Sequence, residues 1–273
     1  MSLLGKTNYA KLIVHYFFKE VLQMSGHSKW STIKHKKGAA DAKRGKLFTK
    51  LIKEITVATR LGGGDPEANP RLRAAMTTGR NANMPSENIV RAIKKGTGEL
   101  EGTHYEEITY EGYGQGGAAV FVETMTDNKN RTVGELRSIF SKNGGNLGAN
   151  GCVDWIFEQK GLILVPTEGN IEDSLLELIM DGGGDDIKKE GEHFEIITSV
   201  ENFEPVRKIL EYQGIKMDLA ELTRIPQNMV TVTDEKEGKA LLRMMDSLED
   251  HDDVQKAFSN FDIAKTLLAT LEG

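Results

Sequence analysis

The 273-residue chain has one cysteine, Cys152, so no disulfide can close within it and no zinc site built on several cysteines can be assembled. That usage fits a reducing compartment. No apolar run approaches the roughly 18 residues of a membrane-spanning helix, which excludes a membrane partner of that kind. The first 23 residues, MSLLGKTNYAKLIVHYFFKEVLQ, contain no Arg and no small-residue cleavage site. Their apolar run is broken by His15 and followed by Lys19 and Glu20, unlike a signal peptide or an Arg-rich presequence. Residues 1–23 are expected to be an extension ahead of a functional start at Met24, and a cytoplasmic location follows. Also missing are a Walker A sequence and any legible Ser/His/Asp or Cys/His set, so no enzyme, cofactor or metal is expected.

Charge is present and unevenly spread. The formal net charge is −6, yet His27 to Leu100 carries 16 Lys and Arg against 6 Asp and Glu, and Glu101 to Gly273 carries 16 against 34. Between His27 and Arg60, ten cations face only Asp41 and Glu54. Such local density is aimed at a polyanion.

Periodicity divides the chain. From Asp41 to Arg60, Phe48, Leu51, Ile52, Ile55 and Ala58 share one helical face, and Lys46, Lys50 and Lys53 take the opposite one. Gly62-Gly63-Gly64 stops this helix. Asn69-Pro70 reads as N-cap and first-turn proline of a second helix with Arg71, Arg73 and Arg80 exposed. Ser86 caps a third, Glu87 to Lys95. After a Gly-rich connector the pattern turns to strands, with 105–111 and 118–125 as a hairpin around GYGQGG, a helix 133–143, and a strand 152–158 that includes Cys152. From Gly161 the order strand, helix, strand, strand, helix, strand is βαββαβ, ferredoxin-like. A strand 229–233, a helix 235–248 and an end strand 254–259 complete the set begun at Tyr105. The fold class is therefore α+β: an N-terminal helical domain followed by two α/β domains, one inserted into the other. The expected boundaries are 1–23 extension, 24–100 basic helical domain, 101–159 with 227–273 discontinuous α/β domain, and 160–226 inserted ferredoxin-like domain.

Gly112-x-Gly114-x-x-Gly117 spells the dinucleotide fingerprint, but its glycines precede a strand rather than open a helix, so a hairpin loop is expected. The acidic run Glu249-Asp250-His251-Asp252-Asp253 reads as a solvated loop, with nothing to fix its carboxylates around one point. Between a strand and a helix, Thr126 to Thr132 can cap the helix and offer Arg131 to a phosphate, or serve as a structural turn. In the basic segment, Lys and Arg can neutralise phosphates, Trp30 and His35 can stack on bases, and Ser28, Ser31 and Thr32 can donate to phosphate oxygens. The bland alternative is a solubilising face.

Four stretches, GHSKWSTIKHKKGAADAKRGKLFTKLIKEI, NMPSENIVRAIKKGTG, TDNKNRTVGELRSIFSKNGGNLG and GCVDWIFEQKG, together resemble the YebC family. The resemblance runs from about Met24 to about Phe261. It implies three domains, an N-terminal helical one and two α/β ones. Members are described as cytoplasmic DNA-binding regulators of transcription, and mitochondrial relatives as translational activators of cytochrome c oxidase subunit I, with ribosome association proposed for bacterial members. The basic residues that match are Lys29, Lys34, Lys36, Lys37, Lys43, Arg44 and Lys46. The family more often has Ser where Cys152 stands.

The expected function is a non-enzymatic, DNA-binding transcriptional regulator. Its nucleic-acid-binding residues are Lys29, Trp30, Lys34, His35, Lys36, Lys37, Lys43, Arg44, Lys46, Lys50 and Lys53, and its acidic domains are open to protein partners. The alternatives are a translation factor bound to ribosomal RNA and the ribosome, and a ferredoxin-like protein-interaction module. No recognition helix with base-reading side chains is evident, so duplex sequence readout does not follow from the chain.

Overall fold

A computed structural model describes the backbone of residues 40–263 and the side chains from Arg44 onward. The expectations for Lys29, Trp30, Lys34, His35, Lys36, Lys37, the Lys43 side chain and the first 23 residues lie outside the described residues. The protein mixes helices with antiparallel sheets and forms two compact units. One spans residues 155–229, and the other holds the described residues 40–154 and 230–263.

The larger unit opens with three helices, α1 (Ala40–Gly62), α2 (Pro70–Asn81) and α3 (Ser86–Thr97). Gly63 at φ 85° ends α1, a backbone angle that a side chain would strain. The Asn69 side chain accepts from the Leu72 N–H at 3.0 Å and caps α2, with Pro70 at its first turn. Packing α1 against α2 and α3 buries Leu51, Ile55, Leu72, Met76, Met84 and Ile89. Two expectations for α3 change. Ser86 makes no cap and Pro85 precedes the helix instead, and the helix runs through Gly96 to a left-handed Gly98. Gly96 stays helical because α1 comes so close that a Cβ there would lie 2.7 Å from the Thr56 carbonyl oxygen.

The strands follow. β1 (Glu106–Tyr113) and β2 (Ala119–Thr126) form the hairpin around the glycine-rich turn, so GxGxxG is a loop between strands. Next come α4 (Lys129–Lys142), β3 (Asn146–Leu147) and, in the smaller unit, β4 (Phe157–Pro166), α5 (Glu172–Asp181), β5 (Gly184–Glu190), β6 (His193–Thr198), α6 (Val200–Tyr212) and β7 (Leu219–Pro226). The chain returns to the larger unit with β8 (Val230–Val232), α7 (Glu235–Glu249), β9 (Val254–Ser259) and β10 (Phe261–Ile263). Sheet order in the larger unit is β3-β1-β2-β9, all antiparallel, with a separate parallel pair β8 and β10. Helices α4 and α7 cover that sheet through Leu136, Phe140, Leu241, Met244 and Leu248 against Val120 and Val122. The smaller unit has order β5-β6-β4-β7, antiparallel throughout, with α5 and α6 supplying Leu175, Ile179, Val206 and Leu210 to its core. This is the ferredoxin-like arrangement.

Of the strand expected over 152–158, only Phe157 and Glu158 are extended, as the start of β4; residues 151–153 turn and Asp154–Ile156 form a short 3-10 segment. The cause is Glu111, whose buried carboxylate accepts the N–H groups of Gly151, Val153 and Asp154 at 2.6, 2.7 and 2.8 Å. Those donors are lost to any ladder. Cys152 therefore sits in a turn, half-buried, and burial together with the nearby Glu111 charge pushes its thiol above the usual range.

Two glycines give opposite expectations for urea denaturation. Gly112→Ala places a Cβ 2.5 Å from the Asn146 carbonyl oxygen and 2.6 Å from the Phe140 ring, and should lower stability by about 1–3 kcal/mol. Gly134→Ala lies inside α4 with nothing within 4 Å, and should raise stability by up to about 1 kcal/mol through helix propensity.

Candidate nucleic-acid interface

The lysine face of α1 is only partly open to solvent, with Lys53 buried and Lys46 and Lys50 half-buried. From Ile55 to Thr59 every residue of α1 is buried, so the helix is enclosed on more than its hydrophobic stripe. The Lys50 Nζ donates to the Glu249 carbonyl at 2.7 Å, and Lys46 Nζ donates to the Asp250 carbonyl at 3.0 Å with the Asp250 carboxylate at 3.3 Å. These lysines satisfy carbonyls at the C-terminus of α7, where the helix dipole favours positive charge.

Lys53 goes furthest from expectation. It is 6% exposed, and its Nζ donates to Asp253 Oδ1 at 2.7 Å and to the carbonyls of Asp252 and Met125 at 2.9 and 3.2 Å. The second oxygen of Asp253 accepts from Arg131 at 2.7 Å and from the Thr132 hydroxyl at 2.8 Å. The acidic run thus has a fixed point, contrary to its reading as a solvated loop. Burial pushes the Asp253 carboxyl upward, but the hydrogen bonds from Arg131, Lys53 and Thr132 and the Lys53 charge outweigh it, holding the group well below the usual carboxylate range. Asn128 caps α4 by accepting from the Arg131 N–H at 3.1 Å. The Arg131 guanidinium, offered to phosphate in the sequence reading, instead bridges Asp253 and Asp127.

Around this network lies an open cleft of about 850 Å³ lined by Lys46, Lys53, Arg131, Lys142, Glu135, His251 and Asp250 among others. Glu135, His251 and Asp253 bring ligand atoms within 4.8 Å of one another, close enough to share a metal ion. Their bonding does not suit one. His251 Nδ1 accepts the Asp253 N–H at 3.1 Å, so Nε2 carries the ring proton and donates to Glu135 at 2.8 Å. Asp253 is already matched by two cations.

Arginine pairing follows the same pattern elsewhere in the bundle. Arg71, expected to be exposed, is held by Glu54 of α1 and Glu107 of β1, and those hydrogen bonds raise its pKa. Arg60 donates to the carbonyls of Tyr105 and Thr103. Arg44 is exposed at the start of the described side chains. Sequence reasoning missed Asp253 and Glu107 as partners. One signal was available: Ile55 to Thr59 carries no charge at all, which a helix with a free face would not show over five residues.

Residues 28–99 match the TACO1/YebC protein N-terminal domain, and residues 105–261 match the TACO1/YebC second and third domain. The chain belongs to the TACO1/YebC family. A relative from Syntrophobacter fumaroxidans is 60% identical over 245 residues, covering 90% of this chain and 98% of that protein. One from Geobacter sulfurreducens is 59% identical over 241 residues, covering 88% and 97%. Both carry the name "Probable transcriptional regulatory protein". The crystal structure of the conserved hypothetical protein Aq1575 from Aquifex aeolicus superposes with a TM-score of 0.76 at 49% identity, covering 84% of this chain and 95% of that one. The chain shares the fold of that protein. Among the described residues, no helix is long and apolar enough to cross a membrane.

Asp253→Asn leaves Lys53 buried without its counter-charge and should cost about 3–5 kcal/mol in urea denaturation. Because the folded carboxyl is depressed, its stabilisation is complete above the unfolded carboxylate pKa and is lost as pH falls below about 4. The variant should show a shallower loss of stability across that acid range than the wild type.

Proposed function

We propose that the protein is a non-enzymatic regulator of gene expression that binds nucleic acid through its N-terminal basic region, with DNA as the target and the cytoplasm as its place of action. The observation that carries this reading is charge segregation. Residues 27–100 hold 16 cations against 6 carboxylates in a chain that is otherwise strongly acidic, and counterion release makes such a region a phosphate-backbone binder. The relatives' names as transcriptional regulatory proteins support the same reading. Its residues are Lys29, Trp30, Lys34, His35, Lys36, Lys37, Lys43 and Arg44. Lys46 and Lys50 belong to the contact with α7, and Lys53 to the buried ion pair, so these three are withdrawn from the phosphate-binding set. The reading includes the division into a basic helical domain at 24–100, a discontinuous α/β domain at 101–159 and 227–273, and an inserted ferredoxin-like domain at 160–226. The acidic inserted domain is left to a protein partner.

Crosslinking the protein in cells and sequencing the bound nucleic acid tests the target. Enrichment of chromosomal DNA is expected, and predominant ribosomal RNA would replace this reading with that of a translation factor. In vitro, replacing Lys34, Lys36, Lys37, Lys43 and Arg44 by Ala should weaken binding and flatten the plot of log affinity against log salt by up to about 4 units. Unchanged affinity and slope would remove this segment from the interface.

A further inference from the structure

The smaller unit is strongly acidic, with 7 Lys and Arg against 16 Asp and Glu over residues 155–229. Several of its cations are matched from within: Lys160 pairs with Glu158 and Asp185, Lys188 with Glu190, Arg207 with Glu204 and Glu211, and Lys216 with Asp218. None of these pairs includes α5, whose sequence EDSLLELIMD holds four carboxylates and no cation. Among the described residues, the side chains of Glu172, Asp173, Glu177 and Asp181 make no ion pair or hydrogen bond.

Helical spacing sets the exposed groups of α5 in two adjacent rows. Leu175 and Ile179 are buried in the core of the unit, which fixes the inner side of the helix. Leu176 and Met180, each one residue further round, are 40% and 65% exposed and stand four residues apart. Asp173, Glu177 and Asp181, also exposed and also at intervals of four, form the row beside them. At about 100° per residue all five fall within an arc of about 140° on the side away from Leu175 and Ile179. Helix stability does not account for this face. Acidic groups in the first turn complement the helix dipole, which covers Glu172 and Asp173, but Asp181 sits in the last turn, where negative charge is unfavourable. Like charges four residues apart repel, so Asp173 with Glu177 and Glu177 with Asp181 both oppose the helix. The complement of such a face is a segment that carries lysines beside apolar side chains.

The chain holds such a segment. Residues 27–39, HSKWSTIKHKKGA, carry Lys29, Lys34, Lys36 and Lys37 with no acidic residue, and Trp30 and Ile33 among them. Thirteen residues reach up to about 45 Å when extended, and the row from Asp173 to Asp181 is about 12 Å long. We propose that residues 27–39 dock on the Leu176/Met180 face of α5, their lysines matching Asp173, Glu177 and Asp181, and that nucleic acid displaces them. This rests on the nucleic-acid reading above and gives its basic segment a competitor within the same chain. A polyanion then engages the segment only by outcompeting α5, which limits nonspecific adhesion. Capture of the segment leaves α5 open to the protein partner of the inserted domain.

The test uses the full chain with 13C-methyl methionine, the Met180 signal being assigned by its loss in M180L. That signal should move in the same direction when a duplex DNA oligonucleotide is added, when salt is raised to about 0.5 M, and in K29A/K34A/K36A/K37A without DNA. Tenfold dilution should leave it in place. L176A/M180A changes no charge and only exposed side chains, so it should keep the wild-type thermal midpoint. It should bind the oligonucleotide about threefold or more tightly, since apparent affinity falls with the fraction of chains whose segment is occupied. A Met180 signal unmoved by the lysine substitutions would overturn the proposal, and so would one that shifts on dilution, which would make a second copy the source of the segment. Unchanged affinity in L176A/M180A would overturn the competition. A wild-type protein that binds neither the oligonucleotide nor a ribosomal RNA fragment would overturn the nucleic-acid reading instead, with the lysine substitutions still deciding the docking.

Discussion

The Asp253 carboxylate lies buried between Lys53 of α1 and Arg131 of α4, with the Thr132 hydroxyl completing its hydrogen bonds. A charge in that position is tolerable only when matched, and losing either cation would leave the remainder exposed to the full cost of burial. The adjoining backbone joins in, because the Met125 N–H donates to the Asp253 carbonyl and Lys53 reaches the Met125 carbonyl. Helix α1 is thus tied at one point to β2, α4 and the loop after α7. The rest of its contacts, Lys46 and Lys50 at the end of α7 and Glu54 through Arg71 to β1, radiate from that anchor.

This anchor decides which positive charges remain available. A dense basic sequence invites the view that every lysine is offered to a polyanion, but a helix that packs on two sides spends part of its charge internally. Lys53 is consumed in the ion pair and Lys46 and Lys50 in terminating α7. Among the described residues of the bundle, Arg44, Arg80, Arg91, Lys94 and Lys95 take no part in these bonds. A protein with this distribution can be acidic as a whole, resist nonspecific adhesion, and still present a local positive surface.

Much of this was legible in the sequence. The three N-terminal helices, the Asn69-Pro70 start, the hairpin at GYGQGG and the βαββαβ order all follow from local rules of capping, turn chemistry and periodicity, and those rules act over a few residues. The errors share a cause, which is a partner distant in sequence. Glu111 captures the N–H groups of Gly151, Val153 and Asp154, 40 or more residues away, and turns the first part of an expected strand into a turn. Asp253 captures Lys53 across 200 residues. The strand Phe261–Ile263 pairs with Val230–Val232 across a helix and another strand. Periodicity identified the face of α1 that carries lysine, but not that a second surface would come to meet it.

The central claim is that the chain's positive charge acts as a nucleic-acid interface on the basic N-terminal region, with the α1 lysine face reserved for the protein's own fold. Peptide-level mapping of nucleotide adducts after ultraviolet crosslinking in cells tests it most directly. The account predicts adducts on peptides covering residues 29–44, and none on the acidic segment 249–253. Adducts confined to residues 155–229 or to the cleft around Asp253, with the helical bundle unmodified, would contradict it.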